Sequence, residues 1–299
     1  MKKANILATA ALATLLAACS NDSDVFNTPD YADTPIGLNV NVSPMVTRAG
    51  YEQGALTEGS FGLYLTTEGT NSDERYNCTN REVKYDNGWT IQGGQLLWKS
   101  NDATVTYYAY LPYTGAVSDA ASYAFTVQTD QSNESNVKAS DLLWTGQQTA
   151  TPGTALDINF RHALSKLNVT LKKGSELEEG LIFTSVRLSN CATATTVNLT
   201  DGTTGNTTNS GQTITLYAAT ANEKYECILV PQTFAQSLKV EITDDNGKVY
   251  TFTSNKDLTF ASGKQYTLNL TVGRDKVTTG TISADPWGEE QQGGDLVTE

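Results

Sequence analysis

Along most of this chain apolar side chains recur at every second position, in short runs that break at Gly, Asn, Asp or Ser. A period of two is the period of a strand, so the chain is committed to sheets with one face buried. The clearest case is "SLKVEITDDNGKVYTFTS". Leu238, Val240 and Ile242 alternate into Asn246-Gly247, and Tyr250 and Phe252 alternate out of it, the pattern of a two-stranded hairpin. "KQYTLNLTV" sets Tyr266, Leu268, Leu270 and Val272 on one face. "IGLNVNV" sets Ile36, Leu38, Val40 and Val42 opposite Gly37, Asn39 and Asn41. The expected class is all-β, and no amphipathic helix stands out in the mature chain.

Further strands are expected in "SFGLYLT", "REVKYDNGWTIQ", "TVTYYAYLPY", "YAFTVQ" and "SDLLWTG", separated by turn-rich pieces such as "GTNSDE" and "QTDQSNESN". Together they suit one β-sandwich. The stretch "TGQQTATPGT" reads as a boundary, and 299 residues accommodate two domains of ordinary size. The expected division is an N-terminal β-sandwich over 36–154 and a C-terminal one over 155–299. After Val272 the chain carries one more strand candidate, Thr278 to Ser283, with no evident partner inside its domain.

Lys2 and Lys3 precede an apolar run from Ala4 to Ala18 that is too short for a spanning helix, so residues 1–18 read as an export signal. The run closes as Leu16-Ala17-Ala18-Cys19, which resembles the lipobox of bacterial lipoproteins, where the cysteine is acylated and becomes the new N-terminus. Cys19 is therefore the expected lipid attachment site, and residues 19–35, polar and acidic with two prolines among them, read as a tether to the membrane.

The formal net charge of -13 argues against nucleic acid, which needs clustered Lys and Arg. The chain has one histidine, His162, so any Ser/His/Asp triad would have to use it. It lies in "NFRHALSKL", where packing is the simpler role. The pairs Glu178-Glu179 and Asp244-Asp245 fall in turn-like contexts, where solvated charge is the default, and Gly205 and Gly211 form no phosphate cradle. Cys78, Cys191 and Cys227 lack the short paired spacing of a zinc site. No catalytic, cofactor-binding or metal site is expected, and no enzymatic activity. In an oxidising compartment those three thiols allow at most one bridge, with Cys191 to Cys227 the favoured pair. Trp89, Trp98, Trp144 and the tyrosines of "TYYAYLPY" could stack on a glycan, but such residues more often fill sandwich cores.

The lipobox, the acidic tether, "VTRAG", "YYAYLPY", "DLLWTG", "FRHALSKLNVTL", "GKQYTLNLTV" and a terminal "ISADPW" follow one another in the order found in fimbrillins, and the chain resembles that family of Bacteroidales surface proteins over essentially its whole length. The resemblance implies a subunit of type V pili built of two transthyretin-like, Greek-key β-sandwiches in tandem. It implies export as a lipoprotein of the outer membrane and trimming by an arginine-specific protease before incorporation into the fimbrium. The implied cut is Arg48-Ala49, which would remove the lipid together with the strand carrying Ile36, Leu38, Val40 and Val42. The implied polymer forms when the vacated groove accepts a strand from another fimbrial subunit, with Thr278, Gly280 and Ile282 as the candidate donor. Such a fimbrium would support adhesion or biofilm formation. Two other readings stay open: an anchor or tip component that keeps its lipid and is not cut, and a glycan-binding surface lipoprotein using Trp98 and Trp144.

Overall fold

The structure, a computed structural model, describes residues 29–42, 54–69, 73–117 and 119–287, and those from Tyr31 onward form one compact unit. Cys19, Arg48 and Ala49 lie outside the described residues. The first half of the chain contributes β1 (Leu38–Val42), β2 (Gly54–Ala55), β3 (Ser60–Thr67), β4 (Cys78–Tyr85), β5 (Trp89–Ile91), β6 (Val105–Leu111), β7 (Tyr123–Thr126), a short helix α1 (Glu134–Ser140), β8 (Leu143–Trp144), β9 (Gln148–Ala150) and β10 (Leu156–His162). Eight of these strands form one path in the order β2-β1-β10-β8-β6-β3-β4-β5, with β9 added beside β6.

The second half contributes β11 (Ser165–Lys173), β12 (Phe183–Cys191), β13 (Ala194–Val197), β14 (Gln212–Thr215), β15 (Tyr217–Thr220), β16 (Lys224–Leu229), β17 (Gln232–Phe234), β18 (Lys239–Asp244), β19 (Val249–Thr253), β20 (Leu258–Phe260), β21 (Lys264–Val272) and β22 (Val277–Pro286). A five-stranded sheet, β15-β16-β11-β21-β22, and a four-stranded sheet, β14-β12-β18-β19, supply most of one core. The expected hairpin is β18 with β19, Thr243 facing Val249 across the turn. Gly247 at φ +80 provides the left-handed residue that such a turn requires.

Two apolar cores result. One gathers Ile36, Val40, Val42, Phe61, Leu96, Trp98, Tyr107, Leu111, Ile158 and Phe160, and the other the second-half strands. The run "YYAYLPY" serves both because its alternation sends neighbours to opposite faces. Tyr107, Ala109 and Leu111 enter the first core, whereas Tyr110 joins the second and Tyr108 packs against it, stacked on Tyr64 at 4.6 Å.

The division expected at residue 154 does not follow the pairing. β10 lies beyond that boundary but pairs with β1 and β8 of the first sheet, while β7 lies before it and pairs with β13 of the second half. Phe125, Val127, Val137 and Leu142 likewise belong to the second core. The Thr/Pro/Gly stretch is a connection within the first sheet: its composition marks a turn, and turns do not distinguish a loop inside a domain from a link between two. The helix α1 is also new. It arises within "QTDQSNESN", capped by the Asn133 side chain, which accepts from the Asn136 N–H at 3.0 Å. At two turns it is too short to show a helical period in the sequence.

Candidate functional site

The segment with the clearest means of leaving the fold is β1 and the residues before it. It lies near the N-terminal end of the described chain, and its partner strand is far away in sequence. Leu38 to Val42 run parallel to Leu156 to Phe160 through five consecutive pairs. Among the described residues its other edge meets the two residues of β2 and the Leu56 N–H, which donates to the Val40 carbonyl at 3.4 Å. Upstream, the Ile36 N–H donates to the Leu96 carbonyl at 2.9 Å, the Trp98 N–H donates to the Thr34 carbonyl at 2.9 Å, and Gln95 Nε2 donates to the Ile36 carbonyl at 3.0 Å. The segment from Thr34 to Val42 therefore spans from the 95–98 loop to β10, closing one side of the first core.

The face assignment follows the alternation. Ile36, Val40 and Val42 are buried and Leu38 half-buried, while Gly37 and Asn39 are exposed. Burying three such side chains contributes roughly 5–9 kcal/mol together, which is of the order of a whole domain's stability. Without the segment, the outer edge of β10 and the backbone of Leu96 and Trp98 would lose hydrogen-bond partners beside an open apolar trough. Unpaired edges of that kind take up strands of matching alternation. Arg48 falls in 43–53, between β1 and β2, outside the described residues.

The strand carrying Thr278, Gly280 and Ile282 is not without a partner, contrary to expectation. β22 pairs antiparallel with β21 from Val272↔Val277 to Lys264↔Pro286. A bulge interrupts it: Leu268 faces Ile282 and Leu270 faces Thr279, so Gly280 and Thr281 oppose Asn269 alone. The sequence concealed the pairing because the extra residue breaks the alternation. Thr278, Thr279 and Gly280 are exposed and Ile282 half-buried, and the strand stands at the edge of its sheet.

Where β10 ends and β11 begins, "FRHALSKL" builds a buried polar group that residue patterning missed. His162 Nδ1 lies 2.7 Å from Asp141 Oδ1, and the His162 ring is stacked on Trp287 at 3.9 Å and 21°. Lys166 Nζ lies 2.8 Å from Glu226 Oε2, with the lysine side chain wholly buried. Burial pulls the Lys166 ammonium below its ordinary pKa, against the opposing pull of Glu226. Strand alternation would put Lys166 outward with Asn168 and Thr170. It faces Ile228 of β16, whose N–H and carbonyl are both bonded by the Gln131 side chain. Asp244 is likewise not a solvated turn charge. It is buried, with Oδ1 accepting from the Asn246 and Lys248 N–H groups and Oδ2 from the Tyr250 hydroxyl.

The expected bridge between Cys191 and Cys227 is absent. Cys78, Cys191 and Cys227 are free, buried thiols. Burial pushes Cys191 and Cys78 up to about 12 and Cys227 well above its usual range, so each packs as a small apolar side chain rather than a reactive one. Of the two tryptophans named for the glycan reading, Trp98 is buried and Trp144 half-buried. Trp98 is 1% exposed in the first core, and Trp144 lies against Gly202 with the Arg161 guanidinium 4.6 Å from its ring centre. Among the described residues no group of three or more His, Cys, Asp or Glu side chains is arranged to hold a metal, and no helix is long and apolar enough to cross a membrane.

The sequence model of a family described as fimbrillin-like matches residues 47–287. A candidate cell adhesion protein from Bacteroides uniformis superposes with a TM-score of 0.63 at 23% identity, over 84% of this chain and 98% of that one. Another from Bacteroides ovatus gives 0.65 at 17% identity, over 87% and 100%. A fimbrial protein from Bacteroides vulgatus gives 0.50 at 17% identity, over 84% and 99%. At these identities the structural likeness speaks for the fold. No curated protein matches the chain in sequence.

Proposed function

The chain belongs to the fimbrillin-like family, and from that premise we propose that it is a structural, non-enzymatic subunit of cell-surface fimbriae that assembles with other fimbrial subunits by exchanging a strand. The observation that carries this reading is β1: an N-terminal strand, parallel to a partner from far along the chain, buried on one face and followed directly by the segment containing Arg48. Cleavage at Arg48-Ala49 by an arginine-specific protease would release β1 together with the Cys19 lipid that tethers the precursor to the outer membrane. The trough along β10 would then be open.

A second copy supplies the replacement. β22 is the donor in this reading, and the geometry adds a requirement that the sequence did not: before it can enter a neighbour, β22 must leave its own β21. Groove and donor are different surfaces of one molecule, so the contact is head-to-tail and builds a filament rather than a closed pair.

The test is limited digestion of the purified full chain with an arginine-specific protease, followed by mass spectrometry of the N-terminus and sizing of the product. The expected result is a chain beginning at Ala49 that forms a ladder of multimers. A chain trimmed there that remains monomeric at high concentration would overturn the reading. A surface protein that keeps its lipid with Arg48 uncut would instead mark an anchor.

A further inference from the structure

The side chains that hold β22 in place are unevenly distributed along it. Its first half is exposed at Thr278, Thr279 and Gly280 and bulged at Gly280, and Ile282, Ser283 and Ala284 are half-buried. Its ends are anchored differently. At the start Val277 is buried, and just past the end Trp287 is 7% exposed, the largest apolar side chain committed by this segment to the core. The Trp287 N–H donates to the Gly263 carbonyl at 2.8 Å, while its Nε1 has no hydrogen-bond partner among the described residues. Its ring is thus held by packing, including the stack on His162, whose Nδ1 lies 2.7 Å from Asp141 Oδ1.

His162 is the last residue of β10, the strand that holds β1 along its edge. The C-terminal segment is therefore fastened to the element that the N-terminal strand covers. We propose that Asp141 and His162 form a socket for Trp287, and that this indole is the clasp whose release, rather than the separation of the strand rungs, sets how readily β22 leaves β21. The socket is a positioning device, and its part in assembly rests on the reading of β22 as the donor. Beyond its ladder to β21, the strand is retained by Val277, Ile282, Ala284 and Asp285, each a smaller side chain than the indole.

Hydrogen–deuterium exchange of the full, uncut chain tests the clasp without reference to assembly. In Trp287→Ala the amides of Val277–Asp285 are expected to exchange about tenfold faster or more, while those of β11 and β16 keep their native protection. Trp287→Phe, which preserves a stackable ring, is expected to fall between the two. Unchanged exchange of β22 in Trp287→Ala would overturn the proposal. So would a uniform rise across β11, β16 and β22, which would make the indole ordinary core. A second arm separates the two readings. Trimmed Trp287→Ala is expected to form multimers faster than the trimmed native chain. A loosened β22 with no multimers at all would leave the clasp standing and remove the donor.

Discussion

At the scale of single residues, the buried polar groups define where this fold is vulnerable. Lys166 and Glu226 have exchanged water for each other, and removing one partner leaves the other charge alone in the core. Lys166→Met is expected to cost about 3–5 kcal/mol in denaturant unfolding, and Lys166→Met with Glu226→Leu to recover most of it. Asp244 predicts a pH dependence. Burial raises its pKa, but the N–H groups of Lys248 and Asn246 and the Tyr250 hydroxyl outweigh that and hold it below its ordinary value. A carboxyl lowered by folding stabilises the fold above its unfolded pKa and loses that contribution as the pH falls through the folded one. Asp244→Asn is therefore expected to melt lower than the native chain at neutral pH, with the gap closing as the pH falls below about 4. Neither residue was legible as an interior group. Lys166 follows the outward period of β11, and Asp244 sits beside a turn, where carboxylates are usually solvated.

At the scale of elements, the alternating pattern was a sound guide to which stretches form strands and which faces they bury. It carried no information about partners separated widely in sequence. The Asn39 amide donates to the Asp157 carboxylate 118 residues away, and nothing local in "IGLNVNV" announces a parallel neighbour. Hairpins such as β18 with β19 are legible because the turn itself states the pairing, whereas β7 with β13 and β1 with β10 depend on the whole chain closing. The faces of the segment from Ile36 to Val42 can be tested directly. Ile36→Ala is expected to destabilise the uncut chain by about 2–5 kcal/mol. Asn39→Ala, on the exposed face, should stay within about 0.5 kcal/mol. Comparable losses at both positions would show that the segment is not seated as described.

At the scale of the whole molecule, the first core is closed by a segment that the proposed maturation discards, so the precursor is the better-satisfied state and the trimmed chain the strained one. A chain starting at Ala49 is expected to melt well below the full-length protein. A synthetic peptide of residues 36–42 added in excess should raise its melting temperature and suppress multimers. A peptide with Val40 replaced by Asp should do neither, and equal rescue by both would show that the trough does not read the apolar pattern. The parallel run of β1 along β10 has one more consequence. A replacement strand seated in the same five rungs and loaded along its own length would share that load among all of them. Tension would then slide the two backbones past one another, loading every rung at once instead of peeling them singly. A fibre joined in this way would resist stretching by shear, and would part only when the whole set of rungs failed together.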